Sequence, residues 1–443
     1  MLKPVTRWLI RWEVAWLLLL TPFLLFPTPT RALVLLVIPL LWILRWIAWG
    51  QIVPRTVLDW PLTILLFMIG VSVWATFDPL LSLSKVTGVL LGIAFYYALV
   101  GCVEWYKQLW VSLALLIATT CGIAGISLIG TTWANKFPIF ERFTALLPAM
   151  IRGVQGSPAA GFNPNSVAGA LLFALPLLLV MIWPFGKGAL AELRGVLRWL
   201  VYLLLLAAFV MIGGTLVLTQ SRGGYLGLLV GLCALALLPH KRLLILAIVG
   251  LGMLLVVGIW LEPKLEYYLT IETAPGTALI GSWQGRYEIW SRAIEGIEDF
   301  ALTGMGMGTF RHVVPVLYPI FLFSRDIGHA HNHLLAAGVD LGVPGLIAYL
   351  ALWLGAGVMC WQVWHRTQRP DYRALILGLS AGMIAHFMWG VADANVLGSK
   401  AGFVFWLALA AIASLHRMIP THSELPKENE ERPAPPPLPL PQY

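Results

Sequence analysis

The chain has 443 residues, of which 59% are hydrophobic and only 11% charged. Soluble domains carry about 25% charge, so a protein wetted on all sides is excluded, and a mean hydropathy of +0.83 makes lipid the main solvent. The formal net charge of +8 does not indicate a nucleic-acid binder, because Lys and Arg punctuate the apolar runs instead of forming a patch.

A membrane-spanning helix needs about 20 mostly apolar residues. Such segments fall near 13–28, 33–50, 61–77, 83–103, 109–130, 165–184, 198–220, 223–239, 243–261, 336–362, 375–395 and 400–418. They predict an all-α integral membrane protein with about twelve spans. Apolar segments recur to the end of the chain, so no cleavable signal peptide is expected. Four units follow: residues 1–261 with nine spans and a smaller outer loop near 131–164, a large outer loop at 262–335, three spans at 336–419, and a tail at 420–443. Trp283, Tyr287 and Trp290 stand among polar residues in the large loop, a mixture suited to a water-facing helix near the interface. The tail carries PAPPPLPLP and reads as disordered or polyproline II.

Orientation follows from the cations. Lys3, Arg7 and Arg11 precede the first span, and Arg55, Lys107, Lys187, Arg194, Arg198, Lys241, Arg242, Arg366, Arg369 and Arg373 fall in alternate connections. The opposite short connections hold scattered cations such as Arg31, Lys85 and Lys400. Both termini are therefore expected in the cytoplasm, with the large loop outside. Cys102, Cys121, Cys233 and Cys360 have no metal-ligand or redox spacing and read as small residues in apolar helices.

Ionisable residues clustered at one membrane face are functional candidates. Arg152 precedes the turn GFNPNS at 161–166, where Asn165 or Ser166 is placed to cap a helix; an Arg there suits an anion or a lipid headgroup. Arg222 lies in a Ser-Arg-Gly-Gly break between two apolar runs, suited to forked phosphate recognition or to a tight turn with a snorkelling Arg. Arg286 and Arg292 begin a helical pattern, and Gly304, Gly306 and Gly308 mark a turn that is only a weak phosphate-loop signal. His329, His331 and His333 alternate. In an extended segment they share one face and suit a metal, although no Cys or nearby carboxylate completes a set. A neutral His331 suits general-base work without metal. His386 and Asp393 lie seven apart on one helical face, placed for core hydrogen bonding or for polarising the same pocket.

Taken together, these residues resemble the O-antigen ligase and polymerase superfamily of bacterial envelope enzymes, over Arg152 to Asp393. The most specific piece is His331-Asn332, nine residues, then Gly342-Val343-Pro344-Gly345, which looks like that family's ligase signature. The Ser221-Arg222-Gly223 break, Arg286 with Trp290, the Gly304/Gly306/Gly308-Phe310 turn and the GFNPN stretch are similar to other landmarks.

The resemblance implies metal-independent, inverting glycosyl transfer with no cofactor, at the outer face of a bacterial inner membrane. The donor is a glycan on undecaprenyl diphosphate and the acceptor a hydroxyl of a lipid, glycan or protein. By this resemblance His331 takes the acceptor proton. Arg222 and Arg286, with Arg152 as a third candidate, hold the diphosphate, and Asn332 is a substrate-binding neighbour. The superfamily also includes repeat-unit polymerases and a branch labelled as bicarbonate transport, which makes an anion transporter the reading from a different class. A transporter calls for midplane sites in repeated halves; here no repeat is evident and the candidates gather at one face. His329 and His333 are not part of the signature, which leaves a metal or proton-shuttle role open for them.

Overall fold

The computed structural model describes residues 2–101, 106–131, 133, 138–147, 150–151, 161–182, 195–240, 242–243, 245, 283–320, 327–395 and 397–419. Helix α1 (Leu2–Arg11) and α2 (Glu13–Leu25) form a pair bent by 57°. A short α3 (Pro29–Ala32), capped by Thr28, runs through a 3₁₀ turn into α4 (Val37–Trp49), which stops at Gly50 in the left-handed conformation. Then follow α5 (Asp59–Ala75), α6 (Pro79–Gly101), α7 (Tyr106–Gly130), α8 (Pro138–Ala145), α9 (Pro164–Leu171), α10 (Leu175–Ile182), α11 (Gly195–Leu218) and α12 (Arg222–Leu237). The last group is α13 (Trp283–Asp299), α14 (Phe310–Leu317), α15 (His333–Arg366), α16 (Pro370–Gly390) and α17 (Phe403–Arg417). No strand occurs among the described residues beyond an isolated bridge between Thr131 and Phe162.

Seven of these helical stretches are long and apolar enough to cross a membrane, or eight when the bent α1–α2 pair is taken as one. Three expected spans, α5, α12 and α17, are shorter apolar helices, and the segment at 243–261, apart from Leu243 and Ile245, lies outside the described residues. At about 1.5 Å per residue such helices fall short of a ~30 Å hydrocarbon layer. The helix α17 is enclosed by protein, with every residue from Phe403 to Leu415 buried. The helix α11 is the opposite case, with Trp199, Leu203, Leu204 and Val210 all exposed, as a lipid-facing surface requires.

Small residues set the closest approaches. On α12, a Cβ at Gly231 would lie 2.8 Å from the Ala381 carbonyl oxygen, and one at Gly227 would lie 2.5 Å from that of Ala385. The α12 backbone therefore seats directly on α16, which fixes the position of Arg222 at its first turn. A buried ion pair joins Arg45 of α4 to Glu13 of α2, and the Arg45 guanidinium also donates to the Tyr97 carbonyl at 3.3 Å. Two charges removed from water are tolerable only when paired, so this contact dictates how the first helices meet α6.

A second, smaller core lies beside the bundle. Ile289 and Ala293 of α13, Met305, Phe310 and Val314, and Ile327 and Ala330 pack on Ala336 and Val339 of α15 and on Ala394. It brings α13 and the glycine turn to the same end of the bundle as the start of α15 and the end of α16.

Candidate functional site

The sequence around His331 folds as a hinge between a loop and a helix. Asn332 caps α15: its Oδ1 accepts from the Leu334 and Leu335 amides at 2.9 and 3.1 Å. Its Nδ2 donates to the Val391 carbonyl at 3.0 Å, tying this loop to the chain that follows α16. Expected as a substrate contact, Asn332 thus has both side-chain polar atoms engaged within the protein. His331 sits just before the cap with φ of 48°; among the described residues only Gln220 shares a positive φ without being glycine. A branched ring in that region costs of order 1–3 kcal/mol, and such residues concentrate at functional sites.

This geometry corrects the expected histidine row. The segment is not extended through 329–333, because His331 is left-handed and α15 starts at His333. His333 consequently turns into the bundle, bonding Tyr349 at 3.1 Å and packing edge-on against Trp353 and Phe387. His329 and His331 remain together, ring centroids 4.3 Å apart, and the His331 amide donates to His329 Nδ1 at 3.2 Å.

Asp393 supplies the carboxylate that the local sequence lacked. It lies beyond the end of α16, 5% exposed, with its Oδ1 3.3 Å from His331 Nδ1. Burial alone would raise the Asp393 pKa. The hydrogen bond and charge of His331, then His329 and the Ala394 amide, more than offset it and bring the pKa down to about 2. An ionised carboxylate only accepts, so Nδ1 of His331 carries a proton toward it, and in the neutral ring Nε2 is then the nitrogen with the lone pair. His329 is shifted down to about 3, first by burial and then by His331, with Lys85 and Arg286 adding to the effect. Lys85 and Arg286 are thus the two cations that act on His329. Of the two readings for His386, the structure shows core hydrogen bonding: its Nδ1 donates to the Gly169 carbonyl at 2.8 Å and its ring stacks on Phe173.

Arg286 is on the first turns of α13, and its Nη1 is buried with no hydrogen-bond partner. Arg222 opens α12, exposed, behind Ser221, whose hydroxyl caps the helix by accepting from the Gly224 amide at 3.2 Å. The Gly223 position faces the Trp389 indole, which leads into the turn bearing Asp393. The start of α9 joins the same end, since Asn395 Nδ2 donates to the Ser166 carbonyl at 3.0 Å. Asn163 caps α9, two residues before Asn165 and three before Ser166, where the cap was expected. Arg152 lies outside the described residues.

The glycine turn is a structural clamp. Gly304, Gly306 and Gly308 all have positive φ, which glycine alone adopts freely. Its amides are already bonded within the protein: Met305 to the Val339 carbonyl at 2.7 Å, Met307 to Ser72 Oγ at 2.8 Å, and Gly308 to Asp340 Oδ1 at 3.1 Å. This leaves no phosphate cradle there. Asp340 also pairs with Lys85 at 2.8 Å, and its carbonyl accepts from Ser72. Gly342, with φ of 69°, kinks α15 where a Cβ would lie 2.7 Å from the Ala301 carbonyl oxygen. The spacing from His331-Asn332 to Gly342 is therefore the length of helix between a capped start and this clamp.

The fold and these contacts define a multi-pass helical membrane protein with an imidazole–carboxylate pair and cationic side chains at one end of its bundle. Residues 206–350, about a third of the chain, match the family model described as O-antigen ligase, a stretch that holds Arg222, Arg286, His331, Asn332 and Gly342. The match supports the O-antigen ligase superfamily for this chain. No curated protein matches it.

Proposed function

We propose that the chain is an O-antigen ligase-like glycosyltransferase, moving a glycan from undecaprenyl diphosphate to an acceptor hydroxyl at the outer face of a bacterial inner membrane. The observation that carries this reading is the pairing of His331 with Asp393 inside a site that also bears Arg286. Nε2 of His331 takes the proton from the acceptor hydroxyl as its oxygen attacks the anomeric carbon. The bond from that carbon to the diphosphate oxygen breaks, with inversion, and the electron pair leaves on the diphosphate. Asp393 holds the ring in the productive tautomer and stabilises the imidazolium that forms. Arg286 and Arg222 meet the charge that builds on the leaving group, where pre-placed guanidinium groups act most strongly. This route requires no metal.

In this reading Asn332 is a positioning residue, since it fixes the loop carrying His331 to the chain carrying Asp393. The unpartnered Nη1 of Arg286 fits the anion-binding role, because an uncompensated buried donor calls for an acceptor. The test is transfer by the purified protein in detergent, with undecaprenyl-diphosphate glycan as donor and a hydroxyl acceptor. Product with inverted anomeric configuration and released undecaprenyl diphosphate is expected from wild type and not from His331→Ala. Equal product from both would refute the assignment.

A further inference from the structure

We propose that His329, His331 and Asp393 together form a binding site for a divalent transition-metal ion, zinc by the chemistry of its donors. One ligand atom from each of the three lies within 4.8 Å of the other two. Two imidazoles and a carboxylate with an open fourth position are a recurring donor set for such ions. Bonds of about 2.0–2.2 Å put tetrahedral ligand atoms roughly 3.3–3.5 Å apart, so small side-chain rotations close the set.

Three further features support it. Two donors come from a backbone turn fixed by the Asn332 cap, and the third from the Asn332-tethered segment across from it. Asp393 uses Oδ1 for His331 and the Ala394 amide, and Oδ2 accepts no hydrogen bond among the described residues. The His329 and His331 rings lie side by side, with centroids 4.3 Å apart. Lys85 and Arg286 oppose a dication. Lys85 is already matched by Asp340, and Arg286 is left to weaken the site. The balance makes the ion a reversible occupant and not a structural one. His333 takes no part, because it is buried with Tyr349 and Trp353.

The proposal goes beyond the transferase reading and does not depend on it. If both hold, a bound ion occupies the imidazole that acts as base, so zinc inhibits transfer and a chelator restores it. The experiment is zinc titration by calorimetry of the full-length protein in detergent, stripped beforehand with chelator, with no glycan present. One equivalent is expected to bind, with affinity reduced at least about tenfold in His329→Gln and in Asp393→Asn. Cobalt(II) substituted for zinc should give the intense visible absorption of a four-coordinate ion in wild type. Size-exclusion elution checks that each variant is folded. Binding unchanged in both variants, or no cobalt spectrum in wild type, would overturn the site whatever the glycan assay shows.

Discussion

His331 holds a backbone conformation that side chains resist, and it holds it one residue before a helix cap and opposite a buried carboxylate. The account makes that strain part of aiming Nε2. Replacing His331 by Ala should abolish transfer while leaving detergent-solubilised protein monodisperse. Asp393→Asn keeps the volume but removes the charge and replaces one acceptor oxygen with an NH2 donor, so the tautomer is no longer selected. It should lower kcat by roughly 10²- to 10⁴-fold, the usual range for positioned acid–base groups, with little change in KM. Arg286→Ala should cost about 10²- to 10³-fold in kcat, as loss of one charge-stabilising donor does. Arg286→Lys and Arg222→Lys should retain only part of the activity, since an ammonium lacks the guanidinium fork. His331 and Asn332 were legible because they are neighbours in a spaced motif. Asp393 was not legible as their partner, because it lies 62 residues away and only the fold brings it back. Its one local signal was a seven-residue spacing from His386, which proves to be a core residue.

At the scale of elements, the start of α15 depends on a clamp that glycine makes possible. Ser72 on α5, Lys85 on α6 and Asp340 on α15 converge on the 304–308 turn and hold it against the kink at Gly342. Gly342→Ala puts a side chain into positive φ and against the Ala301 carbonyl. It should destabilise the protein by at least about 1–3 kcal/mol, read as a drop in thermal unfolding temperature in detergent. Asp340→Asn leaves Lys85, 19% exposed, without its charge partner. Breaking a largely buried pair costs about 3–5 kcal/mol, so this variant should unfold earlier than Gly342→Ala. The glycines were visible in the sequence as a turn. Their partners were not, because Ser72 and Asp340 are 268 residues apart and read separately as ordinary helix residues. Helix existence was readable from apolar runs, whereas length was not: α17 is as apolar as its neighbours but sits inside the bundle.

For the molecule as a whole, acid acts on the site end. The His329 pKa falls from its ordinary 6.5 to about 3 on folding, so between those values the unfolded chain binds more protons than the folded one. Stability from this group is complete above about pH 6.5 and is lost as pH falls toward 3. Asp393, lowered from 3.8 to about 2, acts in the same direction but in a lower window. Thermal unfolding temperature should therefore fall from pH 7 to pH 4.5, and His329→Gln should flatten that slope; an unchanged slope would contradict the assignment. The membrane class was legible from composition, since 11% charge and 59% hydrophobic residues stand far from the roughly 25% charge of soluble domains. The count of spans was not, because apolar runs do not show how far each helix extends, and α5, α12 and α17 are shorter apolar helices.

The central claim is that His331 transfers a proton in a glycan-transfer reaction on a lipid-linked donor. The most direct measurement compares undecaprenyl-linked glycans in host cells whose only copy is wild type or His331→Ala. The account predicts that the lipid-linked glycan accumulates in the mutant while a surface glycoconjugate disappears. Unchanged levels of both, with the mutant protein present in the membrane at wild-type amount, would contradict it.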